Sequence, residues 1–295
     1  MNTTTAQIVQ TVNEEFNFSI DKFPLAGPDG LKTPLYALFR GDNGECISTQ
    51  SVTKQYVPHT TDDVVALAEA ASEVFENDVD IRCHFNRGHY LDVKPTKAER
   101  RAVFGTADNV IPRFLISASY NGKAFRASLG YYRDLCMNMS MLRMVKGTTT
   151  HIRHTTNLRP CMKELIEQFN VLKESWADLT TVIDNMQSRE VLVSSFLSEV
   201  YGEPPENGRG RTQHENRTEA IVRRVLSERA RSGRLAPSPD SPLKVSVWEI
   251  FNGVQGYTQH DATRKGSPSD FERIIAANDD RYVKQAEQTA MALLA

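Results

Sequence analysis

The stretch VIPRFLISASYNGKAFRASLGYY, residues 110–132, decides the fold class. Two runs rich in β-branched and aromatic residues, 110–120 and 123–132, flank Asn121-Gly122, the dipeptide preferred in two-residue hairpin turns because both positions tolerate positive φ. An antiparallel hairpin follows. Upstream, VDIRCHF (79–85) and HYLDVK (89–94) alternate in the same way around a second turn at 87–89, and strands are expected at 134–143 and 148–153. Together these make an antiparallel sheet of about five or six strands. Before the sheet, 5–16 suits a short helix and Pro34 to Arg40 reads as extended ahead of the turn GDNGE. TTDDVVALAEAASEVF (60–75) is a helix with a Thr cap and two Asp in its first turn.

Past the sheet the period changes. Leu165, Phe169, Leu172, Trp176, Leu179, Ile183 and Met186 alternate at spacings of 4 and 3, a heptad seam that Val193, Leu197 and Val200 resume. The fold class is therefore α+β: an antiparallel sheet with hairpins in the N-terminal half, then a long heptad-patterned helix and a helical C-terminal region. The expected domains are 1–160, mixed with a basic face, and 161–295, comprising a long helix over 161–201, a mobile linker over 202–217 and C-terminal helices. These include an Arg-rich helix over 219–232, one around 247–254 and a last one from Ser269, capped by SPSD. The seam serves either packing within the chain or self-association through 165–200.

The chain has 295 residues and a net charge of −2 that conceals strong segregation. Residues 1–81 carry net −9, 82–160 net +10, 161–208 net −6, 209–235 net +5 and 236–295 net −2. A +10 segment in a near-neutral chain is the footprint of a polyanion site, since clustered cations release counterions from phosphates. The competing reading is that this segment docks on the acidic first one. No apolar run approaches the length of a membrane span, and MNTTTAQIVQ lacks the features of a secretory leader. Four dispersed cysteines without a CxxC fit a cytoplasmic chain with reduced thiols.

Phosphate-loop, dinucleotide, GxSxG and HExxH motifs are absent, which removes the commonest nucleotide-dependent and hydrolytic chemistries. His151, His154, Cys136 and Cys161 lack paired ligand spacing, so no metal, cofactor or catalytic residue is expected. The candidate nucleic-acid-binding residues are Arg113, Lys123, Arg126, Tyr131, Tyr132, Arg133, Arg143, Lys146, Arg153, His154 and Arg159. Cations neutralise phosphates and rings stack unpaired bases, which is the chemistry of a single-strand groove. Alternation sends Lys123 and Phe125 to one face and Arg126 to the other, so these cations cannot all share a face. The eight arginines between Arg209 and Arg234 form either a second contact or a solvated helix. Gly253 and Gly256 near Trp248 indicate close helix contact.

YALFRGDNGECISTQSVTKQYVPHTTDDVVAL (36–67), RDLCMNMSMLRMVKGTTTHIRHTTN (133–157) and VWEIFNGVQGYTQH (247–260) resemble the phage- and plasmid-encoded proteins grouped as domain of unknown function 932. The shared features are a Val-x-x-x-Tyr segment, an Arg-His-Thr-x-Asn motif and a late Trp/Asn/His helix; the usual Asn-Gly of the middle segment reads Asn138-Met139 here. The resemblance implies a mobile-element protein but no catalytic residue. Hairpins followed by a long helix also look like the core of phage single-strand annealing proteins. The expectation is a non-enzymatic single-stranded-DNA-binding protein of replication or annealing recombination. The alternatives are an accessory protein that binds a host factor, with the acidic 1–81 region as a DNA-like bait, and a metal-dependent nuclease using Asp92, Asp108 and Asp134.

Overall fold

The computed structural model describes residues 5–15, 18–85, 87–97, 101–106, 109–120, 124–133, 149–174, 176–235, 241–262, 273, 277 and 280–295. It divides into two compact units, one of 1–98, 112–130 and 143–175, the other of 99–111, 131–142 and 176–295. Among the described residues no helix is long and apolar enough to cross a membrane.

The first unit opens with α1 (Thr5–Glu15), followed by a small antiparallel sheet of β1 (Ile20–Ala26), β2 (Lys32–Arg40) and β3 (Val52–Thr53) in that order. Helix α2 (Thr61–Val74) starts as its sequence requires: the Thr60 hydroxyl accepts from Asp63 N, and the Asp63 carboxylate accepts from Thr60 N at 2.8 Å. Strands β4 (Val79–Phe85) and β5 (Gly88–Pro95) form a hairpin, pairing Val79 with Pro95 through Phe85 with His89. Its turn needs a residue without a side chain. A Cβ on Gly88, at φ +152°, would lie 2.4 Å from Ser119 Cα. The larger sheet runs β4, β5, β7 (Asn109–Ser119), β8 (Phe125–Arg133), β9 (Thr149–Ile152), and β6 (Arg101–Ala102) pairs with the start of β7. Neighbours β7 and β8 form the expected hairpin arms, while Asn121-Gly122 and the strand expected at 134–143 lie outside the described residues.

Period-two alternation divides the side chains of this sheet. Leu91, Val93, Phe114 and Ile116 are buried on one face, where α2 packs against β5 and Phe114 meets Phe75 at 5.5 Å and Phe169 at 5.0 Å. Phe169 belongs to α3 (Leu158–Glu174), which packs on α2. Asp80, Arg82, Tyr90, Asp92, Lys94 and Arg113 occupy the other face.

The second unit corrects two expectations. No single helix spans 161–201. Helix α4 (Trp176–Ser188) ends, β10 (Glu190–Leu192) pairs antiparallel with β11 (Lys244–Ser246), and α5 (Val193–Tyr201) begins directly after it. Arg189 O receives Val247 N and Leu243 O receives Val193 N, so the ladder offers this apolar stretch a tertiary pairing that helix periodicity does not register. The described seam residues are all buried: Leu165 and Phe169 in the first unit, Leu179, Ile183, Met186, Val193, Leu197 and Val200 in the second. The described part of the seam thus packs within the chain, one of its two readings.

The linker expected over 202–217 is helical from 208 on, leaving 202–207 to connect α5 with the next helix. Helix α6 runs Gly208–Arg231, and its first turns carry an Arg211–Glu215 pair at 2.8 Å, one helical turn apart. Charged residues and Gln offset the two early glycines. Every residue of α7 (Val247–Gly256) is buried, against α4, α6 and α8 (Arg281–Leu294). Close helix contact explains Gly253, where a Cβ would sit 2.6 Å from Val225 Cγ2. The cap at Ser269 lies outside the described residues, and Asp280 caps α8 by accepting from Tyr282 N and Val283 N.

Candidate nucleic-acid interface

Two of the motif segments meet at one end of the first unit. Val57, just before α2, and His154, just before α3, are tied twice: Val57 N donates to His154 O at 3.2 Å, and His154 Nδ1 donates to Val57 O at 3.1 Å. The ring of Tyr56 stacks on His154 at 4.8 Å and 14°. His59 in turn stacks on Tyr120 at 4.0 Å and 4°, touches Phe125 edge-on at 4.9 Å, and shares a 3.1 Å hydrogen bond between its Nε2 and His89 Nδ1. Tyr120 completes the lock by donating its hydroxyl to His59 O at 3.0 Å. Tyr56 of the Val-x-x-x-Tyr segment and His154 of the Arg-His-Thr-x-Asn segment are therefore partners in one aromatic stack.

Burial sets the state of these rings. His59 is held far below the usual imidazole range by desolvation and by the neighbouring His89 and His154; desolvation takes His89 down to about 3 and His154 down to about 4, the latter opposed by Val57 O and Asp63. All three are neutral at pH 7. Because His154 donates through Nδ1, its Nε2 carries the lone pair and is buried without a partner. His154 is thus a wedge that fixes the start of α3, not the phosphate contact that its basic neighbours suggest.

The sequence candidates separate accordingly. Arg113 is interior, 6% exposed, bonded through Nη2 to Asp92 Oδ2 at 2.6 Å, and is unavailable to a ligand. Its place is dictated by alternation, which puts it beside Asp92 on the polar face. Burial pushes the Asp92 carboxyl up while Arg113, Lys94 and Arg82 pull it down. Arg126 is half-buried, opposite His151 across β8 and β9, and on the opposite side of its strand from buried Phe125. Tyr131, Tyr132 and Arg133 lie on β8; Lys123, Arg143 and Lys146 lie outside the described residues. Arg153 and Arg159 are exposed on either side of the His154 wedge.

Much of the basic segment pairs with acids from the first 81 residues. Lys94 meets Asp80 at 3.0 Å, Lys97 meets Asp78 at 3.0 Å, Arg82 meets Asp80 at 3.7 Å and Arg159 meets Asp63 at 3.7 Å. Internal charge complementarity accounts for these cations. Arg87, Arg153 and Lys163 are exposed and make no ion pair among the described residues. Arg87 lies in the β4–β5 turn, where its carbonyl holds Tyr120 N at 2.9 Å, so its backbone borders the same ring stack; Lys163 is one turn beyond Arg159 on α3. Lys163 and Arg87 were missed from sequence because neither sits beside an aromatic residue, although the i, i+4 spacing of Arg159 and Lys163 marks a shared helix face. The buried state of His59 and His89 carries no sequence signature.

Much of the 209–234 arginine tract is engaged inside the second unit. Arg217 lies 4.6 Å over Tyr201 and 5.0 Å over Tyr282, Arg224 forks onto Asp261, and Arg229 and Arg234 reach Glu249 at 3.1 and 3.0 Å. No group of His, Cys, Asp and Glu that could hold a metal ion occurs among the described residues. Of the carboxylates considered for a nuclease, Asp92 is committed to Arg113, while Asp108 and Asp134 lie outside the described residues.

The fold and this end of it define an α+β protein with a ring-anchored basic turn. The chain belongs to the family described as Domain of unknown function (DUF932), whose model matches residues 48–292. No curated protein and no solved structure matches the chain.

Proposed function

We propose that this chain is a non-enzymatic single-stranded-DNA-binding protein of a phage or plasmid, acting in the bacterial cytoplasm in replication or annealing recombination. The supporting observation is the trio Arg87, Arg153 and Lys163, cations left without acidic partners around a rigid ring stack, next to the N-terminus of α3. Phosphates are attracted both by these side chains and by the positive end of the helix.

Fluorescence anisotropy with a labelled single strand tests this. The full chain binds at about 50 mM salt, and Arg153→Ala combined with Lys163→Ala weakens binding at least tenfold while leaving the circular dichroism spectrum unchanged, since both side chains are exposed. Absence of binding at that salt concentration overturns the proposal.

A further inference from the structure

A second recognition feature lies wholly within the second unit. One stripe of α6, Ala220, Arg223, Arg224, Ser227 and Glu228, lines a cavity of about 470 Å³ together with Asp261. Positions i, i+3, i+4, i+7 and i+8 share a helix face, and the small side chain of Ala220 leaves the room that a larger residue would fill. Asp261 ends a single turn of π-helix, Tyr257–Asp261, that follows the buried α7. Such turns widen the helix by one residue and recur at functional positions. This one carries Asp261 across to α6, where Arg224 grips it through Nε at 2.5 Å and Nη2 at 2.7 Å.

With Nε and Nη2 on Asp261, Arg224 is fixed in place and has Nη1 to direct at a phosphate. Arg223 adds a second cation: it is 72% exposed, with Glu219 only at 4.0 Å, an exposed contact that constrains it little. The Arg224 hydrogen bonds, with the charges of Arg224, His260 and Arg223, hold the Asp261 carboxyl below its usual range against the opposing effect of burial. Ser227 offers a hydroxyl donor, while Glu228 and Asp261 offer carboxylate acceptors. No aromatic ring is among the described lining residues.

We infer that this cavity binds a phosphate monoester bearing free hydroxyls, with the phosphate on Arg223, Arg224 and Ser227 and the hydroxyls on Glu228 and Asp261. The volume is that of a small-ligand site. Since no aromatic ring is among the described lining residues, recognition is of the sugar phosphate rather than of a base. The same chemistry is offered by a free sugar phosphate and by the 5′-phosphorylated end of a nucleic acid.

The test is calorimetric titration of the full chain with ribose 5-phosphate, ribose and adenosine 5′-monophosphate. Saturable binding of both phosphates within about twofold of each other, with ribose at least tenfold weaker, is expected. Two variants must each weaken ribose 5-phosphate at least tenfold: Arg223→Gln with Ser227→Ala, which alters exposed side chains, and Ala220→Phe, which fills the cavity. Competition by a 5′-phosphorylated oligonucleotide, and none by its 5′-hydroxyl counterpart, assigns the site to strand ends; failure of both to compete assigns it to the free metabolite class. Lack of saturable binding up to about 10 mM, equal binding of ribose, or unchanged affinity in both variants overturns the inference. None of these readouts involves Arg87, Arg153 or Lys163, so the outcome is independent of single-strand binding by the first unit.

Discussion

Acidification is the sharpest perturbation of the ring stack. His59, His89 and His154 are neutral and buried in the folded chain, with His89 at about 3 and His154 at about 4, whereas in the unfolded chain each titrates near 6.5. Below pH 6.5 the unfolded state binds protons that the folded state refuses, so stability is fully present above that value and falls as pH drops toward the folded-state values. His89 and His154 each remove about 1.4 kcal/mol per pH unit in that window, hence about 2 kcal/mol at pH 5 and about 4 kcal/mol for the two, and His59 acts in the same direction. That is a large share of the stability of an ordinary domain. Asp92, whose carboxyl is pushed up, acts with the opposite sign. Urea unfolding followed by tyrosine fluorescence between pH 7.5 and pH 5, with amide exchange at Val57 as the local probe, measures the effect. The His154 Nδ1 bond to Val57 O and the Tyr56 stack predict that this turn opens before α3 itself melts. A stability unchanged to within 1 kcal/mol across that range would refute the argument, because it requires the three imidazoles to titrate normally and hence to be hydrated.

Three substitutions probe the rest of the scaffold by chemical denaturation. Gly253→Val drives a side chain into Val225 and lowers stability by about 1–3 kcal/mol, and Val225→Ala in the same chain recovers part of it. Glu249→Gln leaves Arg229 and Arg234 facing a neutral group in a site where Glu249 is 1% exposed, a loss of about 3–5 kcal/mol. Thr60→Ala removes the cap of α2 and destabilises by about 0.5–2 kcal/mol, measurable also as faster amide exchange at Asp63.

What the sequence made legible follows physical range. Local rules decided α2, where a Thr cap and acidic first turn coincide with an apolar stripe, and the β4–β5 hairpin, where alternation and Gly88 agree. Gly253 was readable as a packing residue because a glycine within a helix needs a reason. The break at β10 was not readable. Its partner β11 is more than 50 residues away, and the heptad spacing of 183, 186, 193, 197 and 200 continues across it by coincidence of two helices facing the same core. Nor was the role of His154, because Arg153 and Arg159 beside it carry the same signal whether the histidine binds phosphate or anchors the turn. The deciding facts, Tyr56 above it and Val57 O beside it, come from a segment nearly 100 residues earlier.

The same long-range pairing changes what the +10 segment predicts, and salt dependence can count the difference. For single strands the slope of log affinity against log salt is about −0.7 per phosphate contact. If all fourteen Lys and Arg of 82–160 met phosphates, affinity would fall by about a millionfold between 50 and 200 mM salt. But Arg113 is buried with Asp92, and Arg82, Lys94, Lys97 and Arg159 face Asp80, Asp78 and Asp63. With Arg87, Arg153 and Lys163 as the contacts, the slope is about −2 and the same change in salt weakens binding only about 20-fold. Neutralising Asp63 by Asp63→Asn frees Arg159 and steepens the slope by about 0.7, whereas Asp92→Asn leaves it unchanged because Arg113 stays inside the sheet. A wild-type slope steeper than about −5 would mean that phosphates meet cations beyond Arg87, Arg153 and Lys163, and the assignment of these three as the interface would fail.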